Sequence, residues 1–291
     1  MDPVVVRGSL GCGAERRTYT VVRSRWVAEA APLVLVLHGF RDTADSIRRY
    51  SGGSFDALTT AGAMVVYPNG VAREWNSARR AVMLSRRVKR VDDVGFLREL
   101  IRHLVSELAV DVGRVFVVGF SLGGQMAIRL VCDAPGLVAG AALISSTLPA
   151  PGNRAFNESR SAGVPILAFH GTADPLAPWG GGTVGFRCSP TQRRVLFGKG
   201  PHLSAPDTLR WFAVRNGIES PPTFAWIRTA RGWVGRTDYR EEGCAPVTGY
   251  TIVGGRHEIP GPRPRLLRPD ATVGGGLVAA SVVSDYFGLG K

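Results

Sequence analysis

The sequence predicts an α/β fold, a doubly wound and mostly parallel sheet flanked by helices. Two observations carry this. Short runs that are apolar throughout, at residues 33–37 and 115–118, suit strands buried on both faces. Segments with apolar residues at helical spacing lie between such runs, and strands alternating with helices imply parallel crossovers.

Taken in order, residues 4–7 and 17–23 read as an early antiparallel pair. The run at 33–37 ends in His38-Gly39 and reads as a central strand. Residues 63–67 form another, stopped by Pro68-Asn69-Gly70, and 115–118 a third. Further strands are expected at 138–144, 166–169 and, late in the chain, 249–253. A helix over 91–110 has apolar residues at Val94, Leu97, Ile101, Leu104, Val105 and Leu108. Asp92 and Asp93 at its start suit the positive end of the helix dipole. Helices over 122–132, 207–216 and 277–286 complete the set, the third ending at Asn216-Gly217, a good C-terminal stop. With no strong linker, residues 1–291 read as a single domain with a loose N-terminal segment at 1–16. Two long loops, 69–90 and 179–206, leave strands near the end of the sheet where such folds bind ligands.

Composition narrows the function classes. At 45% hydrophobic and 20% charged, the 291 residues have a globular profile, and no apolar run approaches the roughly 20 residues that span a bilayer. The net charge of +13 comes from 33 Arg and three Lys scattered along the chain, without the one-sided cluster of a nucleic-acid binder. A denser patch, Arg79, Arg80, Arg86, Arg87, Lys89 and Arg90, is expected to be a solvated loop. Its alternative is a surface for an acidic carrier protein or an anionic substrate. Neither nucleic acid nor a membrane is expected as a partner. Cys12, Cys132, Cys188 and Cys244 show no metal-ligand spacing, and the serine chemistry read from residues 119–123 needs neither a metal nor an organic cofactor, so none is expected. The first residues, MDPVVVRGSL, lack the apolar stretch of a secretory leader. A cytoplasmic location is expected, or a secreted one if the chain is a processed form.

The chemistry is carried by Gly119-Phe120-Ser121-Leu122-Gly123. This G-x-S-x-G follows an apolar strand and opens a helix, the context of a nucleophile elbow. Glycines two before and two after the serine permit the tight turn that strains it. A serine hydroxyl needs a base, and the base an orienting carboxylate, in the chain order Ser, Asp or Glu, His. Only His202 and His257 lie late enough to serve as base. His257 sits in a Gly-rich loop after the last strand, whereas His202 precedes a helix, so His257 is the better candidate. Asp174, on the loop after the 166–169 strand, is the candidate acid. The backbone N–H groups of Phe40 and Leu122 are the candidate oxyanion donors, with His38 structural. Trp75, Asn76 and Trp179 lie on loops expected near the mouth and are candidate pocket residues.

An ordered series of motifs joins these residues: Leu37-His38-Gly39, Tyr67-Pro68-Asn69-Gly70 with Trp75-Asn76, Val91-Asp92-Asp93-Val94-Gly95-Phe96, residues 119–124, residues 170–175, Ser204-Ala205-Pro206-Asp207, and Gly254-Gly255-Arg256-His257 with Pro260-Gly261. From about Arg17 onward the chain resembles the polyhydroxybutyrate depolymerase and feruloyl esterase family of α/β-hydrolases. The resemblance implies the α/β-hydrolase fold, esterase chemistry, and a triad of Ser121, Asp174 and His257. Two departures stand out. His257-Glu258-Ile259-Pro260-Gly261 lacks the aromatic that relatives carry beside the histidine. Asn216-Gly217-Ile218 has isoleucine where many relatives have the cysteine that would pair with Cys244. An orphaned cysteine fits a reducing interior. The expected activity is hydrolysis of an aryl, feruloyl-like, or hydroxyalkanoate ester. The same residues would serve a biosynthetic tailoring thioesterase or acyltransferase, and a catalytically inactive hydrolase-fold binding protein is the alternative of another class.

Overall fold

The computed structural model describes residues 3–13, 15–26, 30–81, 88–158, 163–186, 197–229, 232–261 and 276–290. Its frame is a ten-stranded sheet. Six strands are mutually parallel, in the order β4 (Met64–Pro68), β3 (Ala31–Leu37), β5 (Val110–Phe120), β6 (Gly140–Ile144), β7 (Ile166–Gly171) and β12 (Val247–Ile252). An antiparallel pair, β1 (Val4–Cys12) and β2 (Glu15–Arg23), extends the sheet beyond β4. A hairpin of β10 (Thr223–Thr229) and β11 (Gly232–Tyr239) extends it beyond β12.

Alternation along the buried strands divides the core in two. Leu33, Leu35 and Leu37 of β3 point to one face and Val34 and Val36 to the other, as the two-residue period of a strand requires. The first face is covered by α2 (Asp93–Glu107), α3 (Leu122–Asp133) and α4 (Ala205–Arg215), through Leu97, Leu100, Met126, Leu130, Leu209 and Phe212. The second is covered by α1 (Ala44–Tyr50), the 3-10 turn Asp56–Ala61 and α5 (Ala279–Phe287), through Ile47, Leu58 and Val283. The helix starts are capped as their sequences require. Asp92 accepts from the Gly95 amide at the start of α2, and Ser204 from the Asp207 amide at the start of α4.

The chain turns from β3 outward to β4, then crosses back to β5 on the other side of β3. The crevice at this switch point lies between the carboxyl ends of β3 and β5, where Leu37 is in register with Gly119. The loops bearing Phe40 and Ser121 therefore leave the sheet side by side.

Several expectations change. The antiparallel pair expected at 4–7 and 17–23 is present, but its first strand, β1, runs on to Cys12, nine residues paired with β2 from Val4 opposite Arg23 to Cys12 opposite Glu15, through the segment expected to be loose. The loop at 69–90 contains two 3-10 turns, Val71–Arg73 and Val88–Arg90, while Arg86 and Arg87 lie outside the described residues. The loop at 179–206 contains a two-stranded antiparallel sheet of β8 (Gly182–Phe186) and β9 (Phe197–His202) and the first residues of α4, while Cys188 lies outside the described residues. Among the described residues, no helix is long and apolar enough to cross a membrane, and no cluster of His, Cys, Asp and Glu could hold a metal ion. Cys12, Cys132 and Cys244 are free, and the Cys244 Sγ lies 3.6 Å from the Gly217 carbonyl, beside buried Ile218.

Candidate active site

The turn between β5 and α3 holds Ser121 at φ 53°, ψ −113°, a conformation that non-glycine residues avoid. Its neighbours explain why glycine flanks it. A Cβ on Gly119 would sit 2.3 Å from the Gly123 carbonyl oxygen, and one on Gly123 would sit 2.1 Å from the Leu37 carbonyl oxygen. The elbow can thus press against its own helix and the end of β3 only where there are no side chains. The Ser121 amide donates to the Ile144 carbonyl at 2.9 Å, which fixes the turn to β6.

Asp174 follows β7 and His257 follows β12, adjacent parallel strands, and the two side chains meet with His257 Nδ1 2.8 Å from Asp174 Oδ2. Nδ1 donates to the carboxylate, which leaves Nε2 as the ring nitrogen open to accept a proton. The other carboxylate oxygen, Oδ1, accepts from the Leu176 and Ala177 amides, each at 2.8 Å. Burial pushes the Asp174 carboxyl up. The bond from His257 and the two amides outweigh it, so the group sits below the usual carboxylate range and stays ionised. Buried His170 braces this loop, its Nε2 donating to the Ala177 carbonyl at 2.6 Å, and burial lowers its pKa. Tyr50 Oη donates to the His257 carbonyl at 3.2 Å, and the Phe120 ring lies 5.1 Å from the imidazole. Phe120 therefore supplies an aromatic neighbour that the sequence after His257 lacks.

Ser121 and His257 line one cavity of about 420 Å³, together with Phe40, Leu122, Arg79 and Gln125. Among the described residues, the amides of Phe40 and Leu122 donate to no protein acceptor. Two open N–H groups beside a serine can bind an oxygen that gains negative charge.

His38 does not enter this cavity. It is fully buried, its Nδ1 donates to the Gly39 carbonyl at 2.8 Å, and its Nε2 accepts from the Gly70 amide at 2.9 Å. Both bonds require the neutral ring, and burial lowers its pKa to about 4. His202 lines the cavity wall, but its Nδ1 faces the Thr147 carbonyl at 3.3 Å, away from a triad role.

The three pocket candidates do not line the cavity. Trp75 is fully buried, its Nε1 donating to the His38 carbonyl at 3.0 Å. The Asn76 amide donates to Asp93 Oδ2 at 2.7 Å and its Nδ2 to the Val91 carbonyl at 2.9 Å. Both belong to a structural knot around the buried ion pair of Arg17 and Asp93, 2.7 Å apart, with Arg17 also lying 3.9 Å from the Phe96 ring centre. Polar loop residues of this kind are held inside by buried charge, which a loop's position in the sequence does not reveal. Trp179 is half-buried and its carbonyl accepts from Ala205 at the start of α4, while Leu176, Ala177 and Pro178 of the same loop reach the cavity. The wall is formed instead by residues that include Tyr50, Phe120 and Gln125, none of them a sequence candidate, and Arg79, which the sequence offers only as part of the basic patch and its alternative of an anion-binding surface. Gln125 had a signal, since four residues after Ser121 a helical side chain lies on the same face as the elbow.

A sequence profile of the Phospholipase/Carboxylesterase family matches residues 19–184. The chain belongs to this family. It is a carboxylic ester hydrolase with the α/β-hydrolase fold, and its curated relatives include feruloyl esterases and poly(3-hydroxybutyrate) depolymerases. NocK of Nocardia uniformis subsp. tsuyamanensis, named an esterase, is 33% identical over 242 residues, covering 80% of this chain and 67% of that protein. Feruloyl esterase B of Piromyces equi is 28% identical over 199 residues, covering 67% of this chain but only 34% of that protein. The solved acetyl xylan esterase of Aspergillus awamori shares the fold, with a TM-score of 0.64 at 14% identity over 98% of this chain and 99% of that one.

Proposed function

We propose that this carboxylesterase acts through a Ser121, His257, Asp174 triad and an acyl-enzyme, on an aryl or hydroxyalkanoate ester. The observation that carries the reading is the 2.8 Å bond from His257 to Asp174 at a cavity shared with a strained, solvent-reachable Ser121. Ser121 Oγ attacks the ester carbonyl as His257 Nε2 takes its proton. Asp174 orients the ring and stabilises its charged form. The oxyanion of the tetrahedral intermediate lies against the Phe40 and Leu122 amides. His257 then gives its proton to the leaving alcohol, and water resolves the acyl-enzyme by the same steps. The feruloyl esterase and depolymerase relatives support the two substrate classes, and the free Cys12, Cys132 and Cys244 support a reducing, cytoplasmic setting.

The test is Ser121→Ala. It abolishes turnover of a 4-nitrophenyl ester and labelling by a fluorophosphonate while leaving the circular dichroism spectrum intact. A variant that still turns over sinks the assignment, and a wild type that neither turns over nor labels is a non-catalytic scaffold.

A further inference from the structure

Three arginines are buried among the described residues: Arg17, Arg79 and Arg154. Two are neutralised in the ordinary way. Arg17 pairs with Asp93, and Arg154 pairs with Glu158 while its Nε donates to the Pro149 carbonyl at 3.0 Å. Arg79 differs. It is 9% exposed, its Nε is buried with no acceptor, and its side chain makes no ion pair or hydrogen bond with any described residue. A buried guanidinium without a partner is costly, so folded chains seldom keep one idle.

The backbone pins Arg79 where it is. The Ala78 amide donates to the Gln125 carbonyl at 3.2 Å, the Ala155 amide to the Ala78 carbonyl at 2.8 Å, and the Arg80 amide to the Asn153 carbonyl at 2.8 Å. The residue is thereby clamped between α3 and the 150s loop, and it lines the same cavity as Ser121 and His257. The expectation of a solvated basic loop fails at this position. Asp42, the carboxylate at the same cavity, accepts from Ser46 Oγ at 2.9 Å and makes no ion pair with Arg79. Gln125 complements the site. Its Nε2 donates to the Thr147 carbonyl, which can only accept, so the orientation of the amide is fixed and its buried Oε1 has no hydrogen-bond partner, in a residue that lines the cavity.

We propose that Arg79 is a specificity-determining residue that binds a carboxylate on the substrate, so that the preferred ester carries a negative charge. A planar carboxylate can take two parallel bonds from a guanidinium and supplies the missing counter-charge. A hydroxyl or amine nearby on the substrate would donate to Gln125 Oε1. Burial lowers the Arg79 pKa to about 10, which leaves it charged at neutral pH. The proposal rests on the esterase reading and narrows its substrate class.

The experiment compares charged and neutral esters in the wild type, Arg79→Met and Arg79→Lys. Mono-4-nitrophenyl glutarate against 4-nitrophenyl butyrate places the charge on the acyl side, and 4-acetoxybenzoate against its methyl ester places it on the alcohol side. In at least one pair, Arg79→Met lowers the charged-to-neutral ratio of kcat/KM by about 10- to 100-fold, the worth of a charge-assisted hydrogen bond, mainly through KM. Arg79→Lys retains part of the ratio. Should the variants misfold, the wild type decides alone: glutarate competes with 4-nitrophenyl butyrate and the neutral glutaramide does not. Hydrolysis of both members of each pair with an unmoved ratio, or equal effects of glutarate and glutaramide, overturns this inference and leaves the esterase reading standing. A wild type that hydrolyses no ester and takes no fluorophosphonate label removes both.

Discussion

His38 ties the oxyanion loop to the loop after β4, and its protonation should loosen both. Its ring donates to the Gly39 carbonyl, one residue before the proposed oxyanion donor Phe40, and accepts from the Gly70 amide. A second proton on Nε2 would remove that acceptor and place an N–H against an N–H. The folded-state pKa of about 4 lies below the ordinary 6.5, so between these values the unfolded chain holds more protons than the folded one. Stability from this group is therefore complete above pH 6.5 and falls as the pH drops toward 4. At 1.36 kcal/mol per pKa unit, the loss is about 2 kcal/mol at pH 5 and about 3 kcal/mol at pH 4. The measurement is the urea unfolding free energy of the wild type and of His38→Gln at pH 7.5, 5 and 4. His38→Gln is less stable at pH 7.5, but its curve falls less steeply, and the two converge by about 3 kcal/mol on reaching pH 4. Buried His170 titrates in both proteins and cancels in the comparison. Parallel curves would refute the reasoning, because they would mean that the His38 ring gains its proton as readily folded as unfolded.

Other perturbations probe the site and its supports. Asp174→Asn leaves the ring without its carboxylate, so kcat for a 4-nitrophenyl ester falls by about 10⁴-fold with the fold retained; a loss under tenfold would deny Asp174 its role. Gly123→Ala forces a methyl group to within 2.1 Å of the Leu37 carbonyl oxygen unless the elbow and β3 separate. That separation splays the two oxyanion donors, and kcat falls by about 10²- to 10³-fold, measured on the same ester. Arg17→Met strands the buried Asp93 carboxylate and costs about 3–5 kcal/mol in chemical denaturation, where a surface pair would cost under about 1 kcal/mol.

The parts of the fold legible in the sequence are those whose burial is periodic. β3 is apolar at each of its seven positions and could be nothing but a central strand. β12, α2 and α3 carry the same kind of signal. The parts that were not legible bury little. β10 exposes Phe224 and Trp226, and β11 exposes Trp233, so their aromatics mark no inner face, and Gly235 interrupts the pattern opposite Trp226. Helix α1 has seven residues, Ala-Asp-Ser-Ile-Arg-Arg-Tyr, and buries only Ala44 and Ile47; a reciprocal cap between Thr43 and Ser46 marks its start. β1 reads as a strand only over residues 4–7, because none of its nine residues is fully buried; pairing with β2 and the partial packing of Leu10 and Cys12 against the core hold the rest.

The candidate site divides along a similar line. Ser121, Asp174 and His257 follow the carboxyl ends of β5, β7 and β12, and parallel strands put those ends on one side of the sheet, which the alternation of strands and helices already implies. The cavity wall follows no such rule, because it depends on which way each loop residue turns, and that is settled by distant partners. Trp75 turns inward because the His38 carbonyl accepts its indole N–H and Arg17 lies 5.9 Å from its ring centre. Arg79, four residues later, turns toward the cavity because Ala78 and Arg80 on either side are bonded to α3 and to the 150s loop. In one stretch of loop the aromatic residue becomes scaffold and the charged residue becomes wall, the reverse of what their polarity suggests. The inversion is stable only if something compensates the charge. Asp93 does so for Arg17, within the same knot. No described side chain does so for Arg79, and the carboxylate proposed for the substrate would supply that compensation from within the cavity, tying the choice of ester to its anion as much as to its acyl chain.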